Sequence, residues 1–356
     1  MNLTDVSFAN STIDTTDFSG ATVKNTNFSN TAITSAQLYS TASYIAKDLT
    51  GIILDDNYLR NWNFENQNLT EASFVGANIG RAKFTDAIIS NANFSGATNN
   101  GFIDSQLYST SSYKTKDIHG INLSKNNLSM WNFAGQNLTD ADLSKSNFTN
   151  ADISDANLAG ANLSDTVANG LTAAQFYSTA SYKNGELGEI DLSNNNLDGW
   201  SLSEKNLLDT NFSNSVISNA DFSVTTDKGF TKEQLYSTSS YVNKDLHGIK
   251  LGDNDLSGWG FSGKNLQNAS FEYAYLKDVV LDSIDLRGAN MENTTGVYIT
   301  KNTIMTDGKI QNFSMASSAD NFSIRKYTPA TEGGATISAK FAENALVSGD
   351  ATLTLE

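Results

Sequence analysis

The sequence predicts an all-β fold: a four-sided β-solenoid carrying four short helical inserts and a small C-terminal β module. Three observations predict it. A large apolar residue recurs at every fifth position along most of the 356 residues. The residue two positions before it is often small. The residues between are mostly Asn, Asp, Ser, Thr and Gly.

The apolar series begins Leu3, Phe8, Ile13, Phe18, Val23, Phe28, Ile33, Leu38. It resumes at Leu49 and runs unbroken through Leu54, Leu59, Phe64, Leu69, Phe74, Ile79, Phe84 and Ile89 to Phe94, then returns within 118–163, 187–222 and 246–291. Ala72, Ala77, Ala82, Ala87 and Ala92 fill the small slot without a break. A period of five suits neither regular element. On an α-helix five residues advance about 500°, so the apolar groups would spiral round the axis. On a flat strand an odd period sends them to alternate faces. They share one direction only if the chain turns a corner at each step. Four corners close a coil of about twenty residues, and stacked coils put one apolar centre about 4.8 Å above the next. The small residue two positions earlier also points inward, where little room remains.

The triplets Ala151-Asp152-Ile153, Ala156-Asn157-Leu158 and Ala161-Asn162-Leu163 resemble the A-(D/N)-L-x-x unit of the pentapeptide repeat family. The resemblance covers residues 1–295 and implies a right-handed quadrilateral β-helix. Counting one side per centre gives about 52 sides, or 13 coils, and a rod roughly 60 Å long at 4.8 Å per coil.

A second motif interrupts the ladder four times. It reads Gln37-Leu38-Tyr39-Ser40-Thr41, and recurs from Gln106, Gln175 (with Phe176 for Leu) and Gln234. A Ser-Tyr follows each, ending at Tyr44, Tyr113, Tyr182 and Tyr241, and a tryptophan stands 25 residues after each Gln: Trp62, Trp131, Trp200, Trp259. Within each motif the pitch slips from five to eleven, so six residues must leave the wall. Thr34…Gln37, Thr172…Gln175 and Thr231…Gln234 fit the helix capping box, whereas the second copy has Ile103 at that place. A short helix hung on one corner is expected near 34–48, 103–117, 172–186 and 231–245. The motif starts lie 69, 69 and 59 residues apart. With an extra three-residue loop before Phe102, Leu171 and Phe230, this predicts three inserts on one side and the fourth opposite.

After Met291 the rhythm fades into alternating runs, among them Val297-Tyr298-Ile299 and Ala335-Thr336-Ile337-Ser338, with turns at Thr328-Pro329 and Gly333-Gly334. Residues 296–356 are expected to form a β module covering the last coil, because an open coil end shows apolar surface and unpaired strand groups. No such cap precedes Leu3, which predicts further chain upstream or self-association through the uncapped N-terminal coil.

Composition narrows the function classes. There is no cysteine and there are two histidines, which nearly excludes a zinc site. A net charge of −16 opposes both nucleic-acid binding through phosphates and adhesion to anionic membranes. No apolar run is long enough for membrane insertion. His119 and His247, in Asp-x-His-Gly at Asp117 and Asp245, make a poor dyad, since the other copies carry Thr50 and Gly188 in that slot. Asn-x-Ser/Thr sequons such as Asn27-Phe28-Ser29 arise from the repeat itself. No catalytic, cofactor or metal site is expected, and an apolar-filled column leaves no internal substrate pocket. The tryptophans could be ligand platforms, but their strict spacing favours structural anchors, each packing on the Tyr-bearing insert one coil below: Trp62, Trp131, Trp200 and Trp259 with Tyr39, Tyr108, Tyr177 and Tyr236.

The expected function is that of a non-enzymatic structural or interaction module of an exported or cell-surface bacterial protein, with protein or extracellular matrix and glycan as partner classes. The Q-L-Y-S-T-x-S-Y…W-x-F pattern resembles repeats of large exported bacterial proteins. Two alternatives stand beside it. The resemblance admits an acidic DNA mimic of a type II topoisomerase, which would place the chain in the cytoplasm. However, a 60 Å duplex carries roughly 35 phosphate charges against this chain's −16. The outward Ser/Thr ladders admit an ice- or polysaccharide-binding surface.

Overall fold

The computed structural model describes residues 1–311, and by backbone alone 321–325 and 336–340. Contacts divide the chain into two units. The first is Met1–Asn196 with Asn206–Phe212, and the second is Leu197–Lys205 with the residues from Ser213 onward.

In the first unit residues twenty apart pair in parallel: Asp48 with Asn68, Ile53 with Ser73, Tyr58 with Asn78, Asn63 with Lys83. Four five-residue steps therefore make one coil. Each side touches its neighbours through a single bridge, such as Leu54 N–H to Ser73 O at 2.9 Å and Ser73 N–H to Ile52 O at 2.9 Å. The expected all-β solenoid differs here, because its sides are isolated bridges and not strands. The reason is local. Two residues after almost every centre the backbone enters the left-handed region, as at Asn25 (φ 52°), Asp56 (φ 56°) and Gly76 (φ 68°). A side is too short between such corners to hold more than one bridge. The left-handed corners also explain the abundance of Asn, Asp and Gly, the residues that tolerate it best.

The apolar centres fill the column. Phe64 stacks on Phe84 at 5.4 Å and Phe74 on Phe94 at 5.0 Å, while Phe64 and Phe74 meet edge-on at 5.5 Å. All four are essentially fully buried; each such phenylalanine contributes about 1.5–3 kcal/mol of burial. The slot two residues earlier takes alanine, or a hydroxyl that bonds the coil beneath: Thr26 Oγ1 donates to Leu3 O at 2.8 Å and Ser146 Oγ to Leu123 O at 2.8 Å.

Each insert contains two helices where one was expected. They are α1 (Ser35–Tyr39) with α2 (Ala42–Ile45), α3 (Asp104–Tyr108) with α4 (Ser111–Lys114), α5 (Ala173–Tyr177) with α6 (Ala180–Asn184), and α7 (Lys232–Ser237) with α8 (Ser239–Val242). The second helix of each pair starts on its own threonine cap: Thr41, Thr110, Thr179 and Thr238 accept from the backbone N–H three residues on. The first three inserts lie on one column of the first unit, since Gly20, Asp86 and Asp155 donate in turn to Ser40, Ser109 and Ser178. The fourth belongs to the second unit, where Asn214 donates to Ser237. The three-residue loops are 3₁₀ turns at Ala97–Asn100, Val167–Asn169 and Thr226–Lys228.

In the second unit the same twenty-residue pairing runs from Asp245 with Asn265 to Tyr275 with Thr295. Short strands appear only after Tyr275 among the described residues. β1 (Val280–Asp282) pairs in parallel with β2 (Ile299–Lys301), and β3 (Thr303–Ile304) pairs antiparallel with β4 (Ile310–Gln311). β5 (Asn321–Arg325) and β6 (Thr336–Lys340) form an antiparallel pair. The rest of the 296–356 module lies outside the described residues, Pro329 and Gly333-Gly334 included.

Two glycines separate backbone strain from close approach. Gly20 and Gly101 both have positive φ, at 67° and 90°, but a Cβ on Gly20 meets nothing within 4 Å whereas one on Gly101 would stand 2.7 Å from Gly80 Cα. Gly20→Ala is expected to cost about 1–2 kcal/mol of left-handed strain. Gly101→Ala adds an overlap with backbone worth roughly 1–3 kcal/mol more. Comparison of their denaturant midpoints checks this, and equal midpoints would refute the stacked-glycine contact.

Candidate functional site

The strongest recurring constellation is an aromatic clamp on the insert. In the first copy Thr34 and Gln37 form the capping box of α1, with Thr34 N–H donating to Gln37 Oε1 at 2.9 Å and Gln37 N–H to Thr34 Oγ1 at 3.2 Å. Gln37 then does a second task. Its Nε2 donates to Ile13 O at 2.7 Å and Thr16 O at 3.0 Å, fastening the helix to the coil below. Tyr39 and Tyr44 stack at 4.4 Å, and Tyr39 meets Trp62 edge-on at 6.0 Å. The two hydroxyls grip the residue after the tryptophan from both sides. Asn63 N–H donates to Tyr39 Oη at 2.6 Å, and Tyr44 Oη donates to Asn63 O at 2.9 Å.

The clamp repeats. Tyr108 and Tyr113 pack at a tilt, 4.6 Å apart, and grip Asn132 at 2.6 and 2.7 Å, with Trp131 6.4 Å from Tyr108. Tyr236 and Tyr241 stack at 4.3 Å and grip Gly260 at 2.6 and 2.8 Å, next to Trp259. Of the third set, Tyr177 and Tyr182 stack at 4.4 Å in the first unit, and Trp200 is buried in the second. All four tryptophans are buried, which leaves no open indole face for a ligand. The second copy lacks a hydroxyl at its cap, yet Gln106 Oε1 still accepts from Ile103 N–H at 2.9 Å. Burial and the neighbouring tyrosine push the hydroxyls of Tyr44 and Tyr113 up to about 12, and burial does the same to Tyr241.

A second recurring residue escaped the sequence reading. Asn57, Asn126, Asn195 and Asn254 are buried in the small slot. Asn126 Nδ2 donates to Phe94 O and Leu123 O at 2.9 Å each, and its Oδ1 accepts from Thr98 N–H at 2.8 Å. Asn57 and Asn254 bond in the same way. Each bridges the opening that the insert and its loop leave between coils. The signal was present, because these four asparagines share the 69, 69, 59 spacing, but they stand in a chain full of asparagine.

The remaining motifs are likewise absorbed by the coil. Asp117 Oδ1 bonds both His119 Nδ1 at 2.8 Å and Asn137 Nδ2 at 2.9 Å, and the hydrogen bond from His119 holds the carboxyl below its ordinary value. Thr50 fills this place in the first copy, donating to Asp48 Oδ1 at 2.7 Å. His247 meets Asp245 at 2.8 Å in the same manner. The sequons are turn pairs: Ser29 N–H and Oγ both bond Asn27 Oδ1, at 2.8 and 2.6 Å. Gln67 and Gln136 lie against the insert, and Gln67 Nε2 donates to Tyr44 O at 3.1 Å. Each leaves a buried Oε1 without a donor. In the fourth copy Lys264 stands there, its Nζ donating to Tyr241 O at 2.8 Å and sitting 3.7 Å above the ring. Among the described residues no three His, Cys, Asp or Glu side chains gather to hold a metal, and no helix is long and apolar enough to cross a membrane.

Comparison with curated proteins finds no match. Among solved structures the chain is similar to HetL, a pentapeptide repeat protein involved in heterocyst differentiation regulation from the cyanobacterium Nostoc sp. strain PCC 7120. That likeness is 20% identity, covering 78% of this chain and 98% of the other, with a TM-score of 0.17. It is also similar to QnrB1, a plasmid-mediated fluoroquinolone resistance protein, at 16% identity over 70% and 90% of the two chains, TM-score 0.19. A pentapeptide repeat protein of the Arabidopsis thaliana thylakoid lumen matches at 20% identity over 40% and 68%, TM-score 0.13. The profile of pentapeptide repeats matches eight copies, within residues 48–86, 63–98, 127–165 and 261–295. With their five-residue centres and twenty-residue bridges, the matched segments are repeats of the pentapeptide repeat family.

Proposed function

We propose that the chain is a non-enzymatic structural and interaction module of an exported or cell-surface bacterial protein. In this reading residues 1–295 are a right-handed quadrilateral rod and 296–356 its cap. One observation carries the proposal: the motif residues with chemistry to offer spend it on the chain's own backbone. Gln37 and Gln106 bond carbonyls of the coil below, the paired tyrosines bond the peptide after the tryptophan, and the buried asparagines bridge coils. What remains free is outer surface, which suits display and contact. Trp62, Trp131, Trp200 and Trp259 with Tyr39, Tyr108, Tyr177 and Tyr236 serve as anchors for the inserts.

A supercoiling assay with purified gyrase tests the reading against its main rival. No inhibition at micromolar protein is expected, and strong inhibition would favour the topoisomerase-binding alternative.

The anchor role predicts unequal losses. Trp131→Ala is expected to destabilise by about 3–5 kcal/mol, as for other buried tryptophans. Tyr108→Phe strands the Asn132 N–H and costs about 1 kcal/mol. Denaturant titration of the two variants checks the order.

The raised tyrosines predict alkaline sensitivity. Each holds its proton more tightly folded than unfolded, so its contribution is complete below about pH 10, the unfolded value. It is lost as pH rises toward about 12. Unfolding between these limits, with late phenolate absorbance, is the expected outcome. Full phenolate absorbance at pH 10.5 in the folded protein would contradict the clamp.

A further inference from the structure

Arg60 and Arg81 lie in consecutive coils of the first unit. The backbone sets them side by side: Asn61 N–H donates to Gly80 O at 3.1 Å, so Arg60 lies one level from Gly80-Arg81. Arg60 then leans across that level. Its Nη1 lies 3.4 Å from the point where a Cβ on Gly80 would stand, beside Arg81. Gly80 puts no side chain between the two. Two cations thus occupy neighbouring positions on consecutive coils, and among the described residues neither forms an ion pair. The next cation along the wall, Lys83, reaches Glu65 only at 4.0 Å. On the same side Tyr58, which pairs with Asn78, is 67% exposed.

In a chain of net charge −16, two adjacent arginines with no carboxylate partner mark a place where an anion completes the electrostatics. We infer that Tyr58, Arg60 and Arg81 form a binding patch for an acidic polysaccharide bearing carboxylate groups. Guanidinium groups present paired N–H donors that match carboxylates in two-point contact. The exposed ring of Tyr58 offers an apolar face with a polar tip, suited to the flat face of a sugar ring. The patch is too small for the other polyanions. A nucleic acid needs many neutralised phosphates, and the net charge repels it. Recruitment to an anionic membrane takes a cluster of roughly 4–8 basic residues. The inference names a partner class for the interaction module proposed above, and it does not depend on where the protein resides.

The test is binding of fluorescein-labelled oligogalacturonate to the full chain at about 0.15 M salt, where exposed charges beyond roughly 8 Å are screened. Binding that falls about tenfold or more, some 1.4 kcal/mol, in Arg60→Gln/Arg81→Gln supports the patch. A similar loss in Tyr58→Ala supports it further. Lys125→Gln/Lys145→Gln removes a different pair of cations, two lysines twenty residues apart, and is expected to change nothing. Three results overturn the proposal: no binding by the parent chain, an equal loss in the lysine variant, or equally tight, arginine-dependent binding of polyglutamate, duplex DNA or phosphatidylserine vesicles. If the double variant unfolds, Arg81→Gln alone supplies the same readout, because that side chain is exposed. Gyrase inhibition would refute the structural reading and leave this result standing; loss of binding here would leave the clamp untouched.

Discussion

A left-handed turn two residues after almost every apolar centre is the constraint on which the other features rest. It bends the chain before a strand can form, which brings the next centre inward and leaves one bridge per side. The fivefold period, the small slot and the Asn/Asp/Gly richness follow from that turn. So does a further rule between coils. Asn91 and Asp140 lean over the next coil so that their Oδ1 atoms fill the space above Gly120 and Gly160, where any Cβ would stand about 2 Å away. Corner residues are therefore chosen in vertical pairs as well as singly.

The inserts are an answer to a problem the coil creates. The step from Leu38 to Leu49 is eleven residues where five would do, and the six extra must leave the wall and return without exposing backbone groups. The solution uses side chains three times over: Gln37 below the helix, the paired tyrosines above it, and Asn57 across the gap. Short helices of four to six residues would be marginal alone. They persist here because Leu38, Leu107, Phe176 and Leu235 stay in the apolar column while the caps hold the ends.

Much of this was legible in sequence because it repeats. A period that defeats both helix and strand geometry leaves a cornered coil as the remaining solution, and Thr34…Gln37 announces a helix start by its spacing. The second helix of each insert was not legible, since Thr41 caps it without the reciprocal Gln or Glu that makes a box recognisable. The tyrosine hydroxyls could be counted but not aimed: nothing in the order of residues says that Tyr39 and Tyr44 meet the same residue, Asn63, 24 and 19 positions on. Arg60 and Arg81 were equally silent. Twenty-one residues separate them, and only the height of one coil sets them on neighbouring levels.

The corner geometry also bears on how the protein ages. Asparagine normally degrades when the following backbone nitrogen swings round to attack its side-chain carbonyl carbon, which is one reason thermostable proteins avoid it. Here that nitrogen is engaged at corner after corner: Trp62 N–H to Leu59 O at 3.1 Å, Gln67 N–H to Phe64 O at 3.2 Å, Ala92 N–H to Ile89 O at 3.1 Å, Ala151 N–H to Phe148 O at 2.9 Å. Succinimide closure at Asn61, Asn66, Asn91 or Asn150 must first break a turn that the coils above and below hold shut. A wall rich in a chemically fragile residue is thereby shielded at its corners.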